Sequence, residues 1–245
     1  MTDVFKVFFY NQLSSTQVQA LLLIRQGEIQ PFVVLAASQT NGRGSRGRNW
    51  SSVNGNVYAT FVIQKEYVRE QINFLALIAS LAVKQTLQPL VNSSSVQLKW
   101  PNDVLLEGKK VAGILIEAEK IDEKSSPYWL IGIGINVNNY PAEAVFPATA
   151  LLNWKKSDDS LIIKDIVAKL GENLHDYLEL LDSKKYEVIR QNWLESAFAL
   201  NRHIEVKINE SKLVGEFIGL DNLGRLILRQ DNELKTIHTG VIFLE

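Results

Sequence analysis

Gly42-Arg43-Gly44-Ser45-Arg46-Gly47 has the spacing G-x-G-x-x-G, and the residues that follow it restrict the fold more than the glycines do. A dinucleotide-binding turn needs a strand before the glycines and a helix after them, with the helix N-terminus facing the pyrophosphate. The strand is present: "PFVVLAAS" (31–38) is a short continuous apolar run. The helix is not. "RNWSSVNGNVYATFVIQ" (48–64) offers turn residues and then an alternating strand pattern. A protein-kinase glycine loop is excluded too, because the chain contains neither "HRD" nor "DFG". What survives is the physical content of the loop. Glycines let successive backbone N–H groups turn toward one anion, and arginines add forked, charge-assisted hydrogen bonds. Such a loop suits a phosphate or a phosphoanhydride; taken alone, it also reads as a solvated basic loop.

The rest of the chain supplies strands and helices in mixed order. Strands are expected at "VFKVFFY" (4–10), "NVYATFVIQ" (56–64), "VQLKW" (96–100), "DVLLEGKKVAGILIEAE" (103–119) and "YWLIGIGINVN" (128–138). Glu107-Gly108-Lys109 marks a tight turn inside the fourth of these. "SSTQVQALLLIRQG" (14–27) reads as a helix, with hydroxyl residues for an N-cap and Gly27 as a stop. Residues 71–88 form a second helix ending before Pro89, and 160–197 is helical in pattern. Beyond about Asn201 the texture changes to short alternating segments separated by turn residues, the pattern of a small β-barrel. The expected architecture is α+β, with a mixed sheet flanked by helices in 1–198 and the small barrel in 199–245.

Composition narrows the chemistry. The chain has no cysteine, which excludes disulfides, thiolate nucleophiles and cysteine zinc sites. Its three histidines, His175, His203 and His238, lack ligand spacing. A net charge of −1 gives no general pull toward nucleic acid or anionic lipid, so any anion site is a local cluster. The longest apolar-leaning run, "FLALIASLAV" (74–83), is too short to span a bilayer, and the N-terminus lacks the pattern of a signal peptide. The expectation is a soluble, cytoplasmic protein.

Two further clusters carry chemistry. In "KWPNDVLLEGKKVAGILIE" (99–117), Lys99, Asn102 and Asp103 surround Trp100-Pro101, and Lys110 opens the strand that carries Gly113. A lysine can neutralise charge developing on a transferred adenylyl group, and an aspartate can hold Mg²⁺. The same residues also fit an ordinary turn with surface lysines. In "IGIGINVNN" (131–139), Gly132 and Gly134 fall on one side of a strand and leave a flat floor for a planar ligand. A bulge or a close neighbouring helix would use the same glycines.

In order, "SSTQ" (14–17), "SQTNGRGSRGRNW" (38–50), "KWPNDVLLEGKKVAGILIE" and "IGIGINVN" (131–138) resemble the catalytic domain of a biotin–protein ligase, and the β-rich tail is similar to that family's C-terminal domain. The resemblance implies a class II synthetase-like mixed sheet followed by an SH3-like barrel. It implies an ATP-dependent enzyme that adenylates biotin and transfers it to a lysine of a carrier, with Mg²⁺ accompanying ATP. By resemblance, Ser15, Thr16, Gln17, Gln39, Gly42, Arg43, Gly44, Ser45, Lys110, Gly113, Gly132 and Gly134 bind biotin. Arg43, Arg46, Trp50, Asn102, Lys110 and Asn136 fall on the ATP side. Lys110, Arg43 and Asp103 carry the catalytic assignment, Asp103 also as a magnesium ligand. Ser15 and Thr16 are open to a second role as the cap of the first helix. A biotin carboxyl carrier domain is the implied partner; a homodimer is open, and neither DNA nor membrane is expected as a partner. Some relatives carry an N-terminal DNA-binding domain, but here the first strand starts close to Met1, so repressor activity is not expected.

The chain departs from the family at Ser45, where the loop usually reads G-R-G-R-R-G. A serine cannot fork two hydrogen bonds onto a carboxylate or phosphate as arginine does, so weaker retention of the adenylate is expected. Two other readings are a lipoate–protein ligase on the same fold and a non-catalytic biotin or nucleotide sensor. No residue between 140 and 160 is assigned to the adenine; Trp154 is the one candidate there and lies outside any motif.

Overall fold

The computed structural model describes residues 4–29, 31–67, 69–92, 96–142, 146–156, 162–208, 210–231 and 233–244. Seven strands form one mixed sheet: β1 (Lys6–Leu13), β2 (Phe32–Gln39), β3 (Val57–Gln64), β4 (Val96–Lys99), β5 (Asp103–Leu106), β6 (Lys109–Glu119) and β7 (Tyr128–Ile135). Their spatial order is β1-β2-β3-β7-β6-β5-β4. Only β1 and β2 run parallel, joined by helix α1 (Thr16–Arg25); all other pairs are antiparallel. The turn between β5 and β6 has positive φ at both Glu107 (50°) and Gly108 (72°), the pairing that a two-residue hairpin turn requires.

One face of the sheet is covered throughout and the other in part, which explains why its central strands read as continuous apolar runs. Phe32, Val34, Val62 and Leu130 point to one side and pack with Ala20, Leu23 and Ile24 of α1. Val33, Leu35, Ala59 and Phe61 point to the other, into the large core. That core is closed by helices α2 (Arg69–Leu87), α3 (Ile163–Asp182) and α4 (Tyr186–Leu194). The helical pattern expected over 160–197 begins outside the described residues and resolves into two helices, because Lys184 takes a φ of 55° and breaks the ladder. Helix α1 ends as expected: Gly27 at φ 93° lets the Glu28 amide reach back to the Leu23 carbonyl.

The C-terminal strands are β8 (His203–Ile208), β9 (Ser211–Leu220), β10 (Leu226–Gln230), β11 (Glu233–Ile237) and β12 (Val241–Leu244). They form an antiparallel sheet in the order β11-β10-β9-β8-β12. Phe217, Leu226 and Ile242 join the core of the larger sheet, and Trp100 donates its indole N–H to the Gly224 carbonyl. The α1 face of the large sheet is covered only over part of its width. The cavity described next opens on the uncovered part. No helix among the described residues is long and apolar enough to cross a membrane.

Candidate active site

Strand register builds the site before any loop contributes. Lys99 pairs with Asp103, Asp103 with Gly113, Gly113 with Gly134, Gly134 with Tyr58 and Tyr58 with Ala36. Directly opposed residues share a face, so this row crosses the sheet on the side where α1 packs. The row beside it runs Leu115, Gly132, Thr60 and Val34. Lys110 belongs to the first group only because of a bulge. Pairing between β5 and β6 shifts between Val104 and Leu105, Val111 and Ala112 both enter the large core, and Lys110 is turned onto the cavity face.

The cavity over these rows holds about 620 Å³. Every residue that the sequence assigned to biotin, ATP or catalysis lines it except Arg46. Its two ends differ in chemistry.

The end under α1 is buried and hydrogen-bonded. Gln39 Oε1 accepts from the Thr16 amide at 2.8 Å and lies 3.2 Å from Thr16 Oγ1. Thr60 Oγ1 stands 2.9 Å from Thr16 Oγ1. Gln39 Nε2 donates to Ser52 Oγ, and Ser52 Oγ donates to the Trp50 carbonyl. A single chain of polar groups therefore ties the helix start to the base of the loop. The expected N-cap is corrected here. Ser15 occupies the cap position, but its hydroxyl makes no cap hydrogen bond, and the first free N–H of the helix is satisfied from the next strand by Gln39. Gln17 is only 4% exposed; its Nε2 reaches the Leu115 carbonyl at 3.4 Å, and its Oε1 has no partner among the described residues. Gly132 makes this possible, since a Cβ there would lie 3.2 Å from Gln17 Nε2. A buried acceptor without a donor costs on the order of 1–3 kcal/mol, so Gln17 Oε1 is poised for an N–H from a ligand.

The other end is cationic and gathers around Asp103. Lys110 is ion-paired with Asp103 Oδ1, and Lys99 Nζ lies 4.0 Å from Oδ2. Lys99 is 2% exposed, and its ammonium sits 3.6 Å from the centre of the Phe146 ring. Burial, more than any neighbour, pulls Lys99 down to about 8; Lys110 and Arg48 push the same way and Asp103 opposes them. Asn102 Nδ2 donates to the Ile114 carbonyl across the β5–β6 hairpin. Asn136 is buried, with its Nδ2 on the Thr149 carbonyl. The segment carrying Phe146 runs back along the backbone of Lys110, whose amide donates to Pro147 and whose carbonyl accepts from Thr149.

The glycine–arginine loop closes this end against itself. Gly42 passes so near Trp50 and Ser52 that any side chain would collide with the Trp50 carbonyl, and Gly47 takes φ 70°. Arg46, also at positive φ (59°), donates to Thr239 in the turn between β11 and β12 and is not among the residues that line the cavity. Arg43 faces Glu117 through two hydrogen bonds, at 2.7 and 3.2 Å. Ser45 Oγ accepts from Arg48 at 3.1 Å. The floor expected to be bare is covered: ring atoms of Trp50 lie 2.5 Å from where a Cβ of Gly134 would stand and 2.9 Å from that of Gly113. The flat group resting on the glycine pair is the protein's own indole, whose Nε1 is buried without a partner among the described residues.

Asp103 is poorly placed as a resident metal ligand. Both its oxygens face lysine ammoniums, and among the described residues no group of three or more metal-binding side chains is assembled. Trp154 packs on the large core and donates to Thr149 rather than facing the cavity. Sequence reasoning assigned no role to Arg48, Ser52, Tyr58, Phe146 or Val241, all of which line it, and left Lys99 out of the site. Tyr58 was findable from strand alternation with Thr60; Phe146 and Val241 reach the site through long-range packing that leaves no local signal.

The profile of the "Biotin/lipoate A/B protein ligase family" matches residues 9–136, and that of "Biotin protein ligase C terminal domain" matches 199–245. A biotin–[acetyl-CoA-carboxylase] ligase of Paracoccus denitrificans is 32% identical over 233 residues, covering 94% of this chain and 96% of that protein. The bifunctional ligase/repressor BirA of Bacillus subtilis is 29% identical, covering 97% of this chain and 74% of its own. Among solved structures, the biotin protein ligase of Aquifex aeolicus in complex with biotin and ATP superposes with a TM-score of 0.81, at 25% identity over 97% of each chain.

Proposed function

This chain belongs to the biotin/lipoate A/B protein ligase family, and from that premise we propose that it activates biotin with ATP and passes the biotinyl group to a lysine of a carrier protein. In the first step a carboxylate oxygen of biotin attacks the α-phosphorus of Mg-ATP, and pyrophosphate leaves. In the second, a carrier lysine amine attacks the activated carbonyl, the amide forms and AMP leaves. A carrier domain of a carboxylase fits the relatives that match along most of the chain.

The observation that supports this most is the division of one cavity into two ends. The buried end offers Gln17 Oε1, an acceptor without a donor among the described residues, beside the Thr16–Gln39 network. A ureido ring is flat, carries two N–H donors and one carbonyl, and suits that end. Lys110, Lys99 and Arg48 surround the far end, where a carboxylate must be brought against a triphosphate. Bringing two anions together is the electrostatic problem of the first step, and fixed cations lower its barrier. Lys110 is assigned to the reacting carboxylate and phosphate, Asp103 to holding Lys110, and Asn102 and Asn136 to the nucleotide side. Arg43 reaches the ligand once it leaves Glu117. Trp50 covers the glycine floor, so a ligand at this end meets the indole first, and loop closure over the adenylate would exclude water.

ATP–pyrophosphate exchange that requires biotin tests the first step, and avidin detection of biotin on a carrier-domain lysine tests the second. Exchange driven by lipoate instead of biotin would reassign the substrate. Tight biotin binding without exchange would make the chain a sensor.

A further inference from the structure

Asp103 is one carboxylate between two ammoniums, and the two are not equivalent. Lys110 is ion-paired with Oδ1 and its side chain keeps 20% of its exposure; Lys99 lies 4.0 Å from Oδ2 with a side chain 1% exposed. Lys110 stands on a bulge at the mouth of the hairpin. Lys99 is fixed opposite Asp103 by strand register and boxed between aromatic rings, with Phe146 at 3.6 Å and Phe243 of β12 at 5.4 Å. Ring faces hold an ammonium without giving it an acceptor, so among the described residues Asp103 is the carboxylate paired with Lys99.

The reaction proposed above asks Lys110 to leave Asp103 for an incoming carboxylate and phosphate. If Asp103 had only that partner, the move would strand a largely buried carboxylate facing an anionic ligand, a costly state. We propose that Lys99 is a positioning residue for adenylation: it remains with Asp103 as counter-ion and thereby frees Lys110 for the ligand. The burial and ring contacts keep Lys99 from following Lys110 outward. Phe243 adds a wall from the C-terminal sheet, so that sheet helps to set the charge arrangement of the larger one. This inference rests on the biotin-activating reading of the site.

The test is a double-mutant cycle on the whole chain, read by biotin-dependent ATP–pyrophosphate exchange in wild type, Lys99→Met, Asp103→Asn and the double variant. Lys99→Met is expected to lower kcat about tenfold or more while KM for biotin and ATP stays within about threefold. In the Asp103→Asn background the same change is expected to cost less than about twofold, because no carboxylate then needs compensation. Equal losses in both backgrounds, or no loss in the wild-type background, would overturn the inference, as would an Asp103→Asn enzyme without measurable exchange. Wild type without exchange would instead overturn the functional reading, and this inference with it. Thermal unfolding of each variant confirms folding; Lys99→Gln replaces the methionine variant if the latter does not fold.

Discussion

The two ends of the cavity are made by different means. The end under α1 is built from strand register and a helix start, and its polar groups are already joined: Thr60, Thr16, Gln39 and Ser52 form one chain. The cationic end depends on a loop whose side chains are engaged with one another and with the scaffold. Arg43 is on Glu117, Arg46 on Thr239, Arg48 on Ser45, and Trp50 lies on the glycine pair. The first end can receive a ligand as it stands. The second has to exchange partners first. On the proposed reading, recognition falls to strands and a helix start and chemistry to a loop that reorganises, which fits a reaction whose intermediate must be kept from water.

Five substitutions or titrations probe that contrast, from the largest effect to the smallest. Lys110→Ala removes the cation assigned to the reacting anions; exchange is expected to fall about 10²–10³-fold, with the unfolding midpoint little changed. An undiminished exchange rate would remove Lys110 from the mechanism. Gln17→Leu replaces the unpaired acceptor at the rigid end; biotin affinity is expected to drop about 10–100-fold by calorimetry, at unchanged ATP affinity. Such a loss shared equally by ATP would mean that the two ends are not separate.

The third is a pH dependence. Lys99 has its folded value lowered to about 8 from 10.5. Between those values the unfolded chain binds the extra proton, so this group's penalty on stability is full below about pH 8 and fades as pH rises toward 10.5. Lys99→Met is therefore expected to be more stable than wild type at pH 7, by a margin that shrinks at pH 10. Denaturant unfolding of both proteins at the two pH values checks the difference; a margin independent of pH would contradict it. The smallest effect belongs to Glu117→Gln. Arg43 and Glu117 are a partly exposed pair, with side chains 47% and 30% exposed, so releasing Arg43 is expected to change adenylate dissociation less than about fivefold. Ser45→Arg is a companion to it: a slower dissociation is expected, since serine offers only one hydroxyl.

Much of this was legible in the sequence, for identifiable reasons. Strand after the glycines, rather than helix, excluded the dinucleotide fold, and Val57–Gln64 is that strand. Glycines at alternating positions predicted that Gly132 and Gly134 share a face, which they do. Alternation could not place Lys110, because a bulge is a local departure from period two. Nor could it show that Trp50 rests on Gly113 and Gly134, a contact between residues more than sixty positions apart. The cap of α1 escaped for a similar reason. Ser15 had the right residue type in the right place, and tertiary structure supplied Gln39 instead. Lys99 was visible beside Trp100, but its burial, which gives it a role, comes from Phe146 and Phe243.

Amide hydrogen exchange, followed by mass spectrometry on the full chain with and without biotin and ATP, tests the contrast between the two ends most directly. Segments 14–20 and 128–136, which form the start of α1 and strand β7, are expected to be protected without ligand and to change little. Segment 42–50, the glycine–arginine loop, is expected to exchange fast without ligand and to slow about tenfold or more once the adenylate forms. Equal protection of both ends before ligand, or a loop unchanged after it, would contradict the account.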